Sequence, residues 1–238
     1  MFSLLYLLIV LEEPHVLLGI KIIVNILAFE CANFSLSIAA QNCNKERAFR
    51  EVREVRGQDA KALPLIIEAL QEINIDIKDI DLISTTLGPG SFTGVRVGLS
   101  LGRGFRLALG VPLITLNCFD WIFETVREKQ KYEEIYVILN SQREELFCKK
   151  YASEEQEPKL LTASEVAALI TSNPTLITGD GAILVQDFVA NKLNVTINPE
   201  MPKADTLIEI ALKNLKTGCY NNDEPFYLRS PDITQPKQ

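Results

Sequence analysis

From residue 22 onward the apolar positions fall into short blocks whose period switches between that of a strand and that of a helix. Residues 22–29 are apolar and β-branched and run into Glu30-Cys31-Ala32-Asn33, the pattern of a buried strand entering a polar turn. Residues 34–40 set Phe34, Leu36 and Ile38 against Ser35 and Ser37, as a half-buried second strand does, and residues 48–55 complete a meander. Leu63, Ile66, Ile67 and Leu70 have the i, i+3, i+4, i+7 spacing of an amphipathic helix over 59–73. A short strand at 81–87 is closed by Gly88-Pro89-Gly90. A helix follows over 93–109, stopped by Gly110, and then a strand at 112–116. Three strands, a helix, a strand, a helix and a strand describe a mixed sheet with helices against it, an α/β arrangement.

After Asn117 the pattern partly restarts. It predicts a helix at 119–127, strands at 134–139 and 146–151, and a short helix at 164–171. An apolar stretch at 176–178 leads into Gly179-Asp180-Gly181-Ala182. A last helix covers 204–215 with Asp205 as its N-cap, and an extended tail begins at Pro225. The division falls near residue 118, giving a first half at 25–117 and a smaller second half at 118–238. No long linker separates them, so the halves are expected to pack together.

Residues 1–24 form an N-terminal extension. The apolar run to Leu11 is too short to span a bilayer and is interrupted by Glu12-Glu13-Pro14. It has neither the basic start nor the small-residue cleavage site of a signal peptide. Val24 is the expected true start.

Composition narrows the chemistry. A hydrophobic content of 47% and a charged content of 23% describe a chain with a substantial core, not a disordered one. The net charge of −7 argues against nucleic-acid binding by general phosphate neutralisation. The 5 cysteines are widely spaced without CxxC, as free thiols in a reducing cytosol are. The single histidine, His15, excludes HExxH and any two-histidine zinc centre, so no metal ligands are expected.

Residues 87–98, LGPGSFTGVRVG, place a glycine-rich turn between a buried strand and a helix. Backbone N–H groups at a helix N-terminus favour anions, and Ser91, Thr93 and Arg96 add donors and charge. Gly88, Gly90, Ser91, Thr93, Gly94 and Arg96 are therefore a candidate anion or nucleotide loop, with a tight turn and helix cap as the alternative. The Walker A ending and the Rossmann G-x-G-x-x-G spacing are both missing. Gly98 and Gly102, four apart, share a helix face that either packs on the chain's own sheet or admits a partner helix.

This segment closely resembles the signature of the TsaB (YeaZ) family, and the resemblance extends from about Ile26 to Arg229. Ile26-Leu27-Ala28-Phe29-Glu30-Cys31-Ala32 matches the family's first strand and turn, and Leu63-Pro64-Leu65 the opening of its first helix. Ala108-Leu109-Gly110-Val111-Pro112-Leu113, Gly179-Asp180-Gly181-Ala182 and Pro225-Phe226-Tyr227-Leu228-Arg229 match further stretches. The resemblance implies a two-lobed actin/Hsp70-like (ASKHA) ATPase-type fold with a degenerate second lobe. It further implies a cytoplasmic, non-catalytic subunit that scaffolds and activates a TsaD homologue as a heterodimer, joined by a TsaE homologue. That assembly forms N6-threonylcarbamoyladenosine in tRNAs decoding ANN codons.

The implied partner face comprises Gly98, Gly102, Leu63 and Ile67. No intrinsic cofactor is expected, while ATP and magnesium could sit at the complex interface. A homodimer is a further possibility, tRNA is met only through the complex, and no membrane is involved. The chain departs from the family at three places: Glu30-Cys31 replaces Asp-Thr, Arg56-Gly57-Gln58-Asp59 lacks a histidine, and Asn140 stands at an expected aspartate. Each change removes chemical capability while sparing the fold.

Two other classes stand beside this reading. One is a weak nucleotide-binding, ATPase-like protein acting alone through Glu30, Ser91, Thr93 and Asp180. The other is direct tRNA binding through Lys149, Lys150, Arg103 and Arg106, whose plain alternative is a solvated helix face.

Overall fold

β1 (Ile26–Glu30) is buried along its whole length because it sits at the centre of a sheet covered on both faces. In this computed structural model residues 24–33, 35–53, 57–128, 131–154, 156–218 and 223–229 are described; the expectations for residues 1–23 lie outside them. β2 (Leu36–Gln41) and β3 (Arg47–Val52) extend the sheet antiparallel to β1 on one side. β4 (Leu82–Thr86) and β5 (Leu113–Leu116) add parallel strands on the other, giving the order β3-β2-β1-β4-β5. Parallel neighbours need a crossover, and α1 (Gln58–Glu72) and α2 (Phe92–Leu109) supply it. α2 ends at Gly110 in the left-handed conformation (φ 69°), the stop its sequence predicts.

The same arrangement recurs after α3 (Cys118–Val126). β6 (Glu134–Leu139) pairs antiparallel with β7 (Leu146–Tyr151), and β7 with β8 (Lys159–Leu161). On its other side β6 pairs parallel with β9 (Thr175–Thr178), and β9 with β10 (Val195–Asn198). The order β8-β7-β6-β9-β10 repeats the first sheet element for element. The second lobe is thus reduced in its helices rather than its sheet. α4 (Ala163–Leu169) has seven residues, and α5 (Ala182–Val185) has four before a 3₁₀ turn at Gln186–Val189.

Three apolar layers hold the molecule together. α1 and α2 cover the outer face of the first sheet, burying Ile66, Leu70, Leu27, Phe29 and Ile83. α4 and α5 cover the outer face of the second, over Tyr136, Ile138 and Ile177. Between the sheets lies one continuous core built on α3 and α6 (Ala204–Thr217), joining Ile26, Ala28 and Ile114 to Val137, Leu139 and Leu176. α6 belongs to the second half of the chain yet packs on β1 and β2 of the first sheet. Ala204 N donates to Ser37 Oγ at 2.9 Å, and Trp121 Nε1 of α3 donates to Thr206 Oγ1 at 2.7 Å. This helix covers the inner face of β2, so a strand expected to be half-buried is buried throughout. Asp205 is not the N-cap of α6; Lys203 holds that position without a side-chain cap, and Asp205 accepts from Thr206 N.

Candidate functional site

The carboxyl ends of the central strands of both sheets meet at one cleft, where open α/β sheets place their ligands. Its inner end carries two acids. Glu30, the last residue of β1, is 1% exposed, and its Oε1 accepts from Ala32 N at 2.5 Å, Asn33 N at 3.1 Å and Thr86 Oγ1 at 3.2 Å. Burial raises its pKa to about 7 against those hydrogen bonds, and the charge of Asp180 adds to the rise. Asp180, from the turn after β9, accepts from Asn140 N at 2.9 Å and is pushed up to about 6 by burial. The cleft opens outward as a cavity of about 630 Å³ lined by Asn33, Ser35, Asp180, Met201 and Lys203, with Arg53 and Glu51 on its rim. Glu51 lies 3.4 Å from Arg53 and 3.8 Å from Lys203. Buried Cys31 and Cys118 flank Glu30, and desolvation holds both thiols far above the range in which they would ionise.

The glycine-rich loop is packed inside the chain as a tight turn and helix cap. A Cβ on Gly90 would lie 2.2 Å from Ala32 O, and one on Gly94 1.9 Å from Cys31 O. These glycines let the first turn of α2 press its backbone onto the turn after β1. Ser91 N donates to Ala32 O at 2.6 Å, Val95 N to Ser91 O at 2.9 Å, and Gly94 N to the Ser91 side chain that caps the helix. Gly88 (φ 94°) faces Phe226 O of the C-terminal segment. Thr93 is exposed, and Arg96 turns away from the loop, its guanidinium 3.7 Å from the centre of the Phe92 ring and its Nε donating to Tyr227 OH at 3.3 Å. The second lobe repeats the device. A Cβ on Gly179 (φ 98°) would lie 2.4 Å from Ile138 O at the end of β6, and Gly181 N donates to that oxygen at 3.0 Å.

One correction concerns Gly98 and Gly102. Both are buried on the chain's own sheet, Gly98 against Thr85 and Cys31 and Gly102 against Leu113, so neither is presented to a partner. The opposite face of α2 is open. Ser100, Gly104 and Ala108 are exposed at helical spacing, and a Cβ on Gly104 would meet nothing within 4 Å. Along this helix Phe92, Thr93, Arg96, Val97, Ser100 and Leu101 line a groove of about 550 Å³. Leu63 and Ile67 of the adjacent α1 stay 44% and 41% exposed, while Ile66 and Leu70 of the same apolar stripe are buried.

Residues 223–229 form a strap across this region that residue periodicity gave no reason to expect. Asp223 receives Arg103 at 3.1 Å and Arg106 at 3.0 Å, and the two guanidiniums overcome the effect of burial and hold its carboxyl below the usual range. Phe226 N donates to Leu87 O at 2.9 Å, and the Tyr227 ring lies 5.1 Å from that of Phe92. Arg229 reaches Glu145 in the β6–β7 loop at 2.5 Å. The cations considered for tRNA are also paired: Lys149 with Asp120 and Lys150 with buried Glu134. No cluster of three metal-ligating side chains occurs among the described residues, and among them no helix is long and apolar enough to cross a membrane.

A doubled five-strand sheet with helices crossing between its halves and a cleft at the strand ends defines a protein of the two-lobed actin/Hsp70-like architecture. A solved YeaZ structure from Pseudomonas aeruginosa superposes with a TM-score of 0.69 at 19% identity, covering 86% of this chain and 100% of that one. Another Pseudomonas aeruginosa structure, described as similar to peptidase YEAZ, gives 0.71 at 20% identity over 87% and 100%. The family model described as TsaD, tRNA N6-adenosine threonylcarbamoyltransferase, matches residues 56–175. The chain belongs to that family, in its TsaB (YeaZ) branch.

The tRNA threonylcarbamoyladenosine biosynthesis protein TsaB of Escherichia coli is 24% identical over 86% of this chain and 94% of its own length. Its namesake in Buchnera aphidicola of Baizongia pistaciae is 30% identical over 53% of this chain and 58% of its own length. The match to the Buchnera aphidicola protein of Schizaphis graminum covers 59% of each chain, so the chain spans under two thirds of these two relatives. A tRNA N6-adenosine threonylcarbamoyltransferase from Chlorobium luteolum is 44% identical over 26% of this chain and 18% of its own length.

Proposed function

We propose that the chain is a non-catalytic subunit of the machinery that forms N6-threonylcarbamoyladenosine in tRNA, docking a TsaD homologue on the outer face of α1 and α2. The observation that carries this reading is the open face itself: Leu63 and Ile67 beside a groove and a row of small residues on α2. Apolar side chains grouped on one exposed helical face are the kind of surface that a second protein covers. The loop and cleft support the absence of intrinsic catalysis. Glu30 holds the turn that follows β1, and burial opposes the charge that a magnesium ligand needs. In the first turn of α2 the amides of Gly94 and Val95 are already bonded to Ser91, and that of Ser91 to Ala32 O.

The names of the relatives supply the pathway. The TsaE homologue, and ATP with magnesium, belong in this reading to the assembled complex. Transfer RNA is reached only there, since Lys149, Lys150, Arg103 and Arg106 already hold carboxylates of this chain.

Calorimetric titration of the TsaD homologue of the same organism with wild-type chain and with Leu63→Glu and Ile67→Glu tests the face. Each variant is expected to lose about tenfold or more in affinity, since interface anchors carry 1.4 kcal/mol or more, while its melting temperature stays unchanged. Undiminished affinity in both variants overturns the docking face. Sustained ATP turnover by the purified chain alone overturns the non-catalytic reading.

A further inference from the structure

The strap at residues 223–229 joins the docking face to the cleft. Its first part lies along α2: Asp223 is held by Arg103 and Arg106, and Tyr227 packs on Phe92 and accepts from Arg96. Phe92 and Arg96 also line the groove on that helix, so a partner seated there touches residues that position the strap. Its middle crosses the glycine-rich turn, with Phe226 N on Leu87 O and Phe226 O facing Gly88, while Phe226 and Leu228 pack on the core between the sheets. Its far end reaches the second lobe, where Arg229 pairs with Glu145. The loop carrying Glu145 starts at Asn140, whose backbone N–H holds Asp180 at the inner end of the cleft.

We propose that the strap is a latch through which a partner seated on α1 and α2 is sensed at the β6–β7 loop and the cleft. The proposal rests on the docking face above and adds its regulation. The two ends of the latch differ in strength. Near α2 it is held by two guanidiniums on one carboxylate, the hydrogen bond from Arg96 to Tyr227 and a ring contact, several ties where the other end has one. At Glu145 it is held by an ion pair whose side chains are 26% and 48% exposed, a class of contact weak in water and screened by salt. The Glu145 end therefore opens first and loosens the middle of the strap at Phe226, while Asp223 and Tyr227 stay on α2. Coupling runs in both directions, so whatever frees Glu145 must also change affinity at the helix face.

The test uses the full-length chain, Glu145→Arg, Arg229→Glu and the double swap. Hydrogen exchange at the Phe226 amide reads the latch, and titration with the TsaD homologue reads the docking face. Each single reversal is expected to speed exchange by about tenfold and to weaken partner binding by about fivefold, the lower range of allosteric coupling. The double swap restores both, because it rebuilds the pair with opposite polarity. The latch is overturned if single reversals leave exchange unchanged, or if the double swap fails to restore it. Faster exchange with unaltered affinity overturns the coupling while leaving the docking face standing. A wild-type chain that does not bind the TsaD homologue overturns the docking face, and with it the sensing; the exchange data then judge the strap alone.

Discussion

Glycines that share one helix have opposite roles, and substitution separates them. Gly94 approaches Cys31 O so closely that a Cβ would lie 1.9 Å from it, whereas Gly104 has open space. Gly94→Ala is expected to cost about 3 kcal/mol or more, the upper range for overpacking a tight site. Gly104→Ala should gain about 0.5–1 kcal/mol by restricting the unfolded chain. Denaturant melts of the two variants measure both. The buried acid supplies a second expectation at this scale. Glu30 has its folded pKa raised from 4.5 to about 7, so its contribution to stability is complete below pH 4.5 and is lost as the pH rises through 7. A shift of that size is worth about 3 kcal/mol. Glu30→Gln keeps an acceptor for Ala32 N without the charge. It should therefore lose less stability than wild type between pH 5 and 8, measured by chemical denaturation across that range.

Among the elements, α2 is where sequence and structure diverge most usefully. Its span and its Gly110 stop are legible because they are local, whereas Ser91, read as an anion donor, is its N-cap. Which face of it meets solvent is not, because Gly98 and Gly102 pack on Thr85 and Leu113, strand residues that local spacing cannot place. The small residues that face outward on this helix are instead Ser100, Gly104 and Ala108. Gly104→Leu should leave the melting temperature within a degree or two of wild type by calorimetry and weaken binding of the TsaD homologue. Gly102→Leu should lower the melting temperature outright. Strands β1 to β7 follow from apolar runs and alternation; β9 shows only as an apolar stretch with no strand assigned, and β8 and β10 not at all, being three and four residues long and partly exposed. The strap was legible only as a family motif at Pro225–Arg229, since its ties to Arg103, Arg106 and Glu145 span more than 80 positions. Glu30 is visible in the sequence as a retained acid. Its burial is not, because it follows from the meeting of two sheets.

At the scale of the whole molecule, the repeated strand order makes two lobes, yet the core between them is continuous. Cooperative melting is therefore expected: a single calorimetric transition whose van't Hoff and calorimetric enthalpies agree. A fragment ending at residue 128 should fail to give a cooperative transition, because it lacks the helix that covers β1 and β2. The order of synthesis gives this interleaving a further consequence. Residues 204–217 leave the ribosome long after the strands they cover, so the inner side of the opening meander stays bare through most of translation. Nascent chains of this protein must carry that greasy surface until residues 204–217 have been made. A stall or premature stop before that helix would release a product fit for chaperones or proteases rather than a half-working lobe.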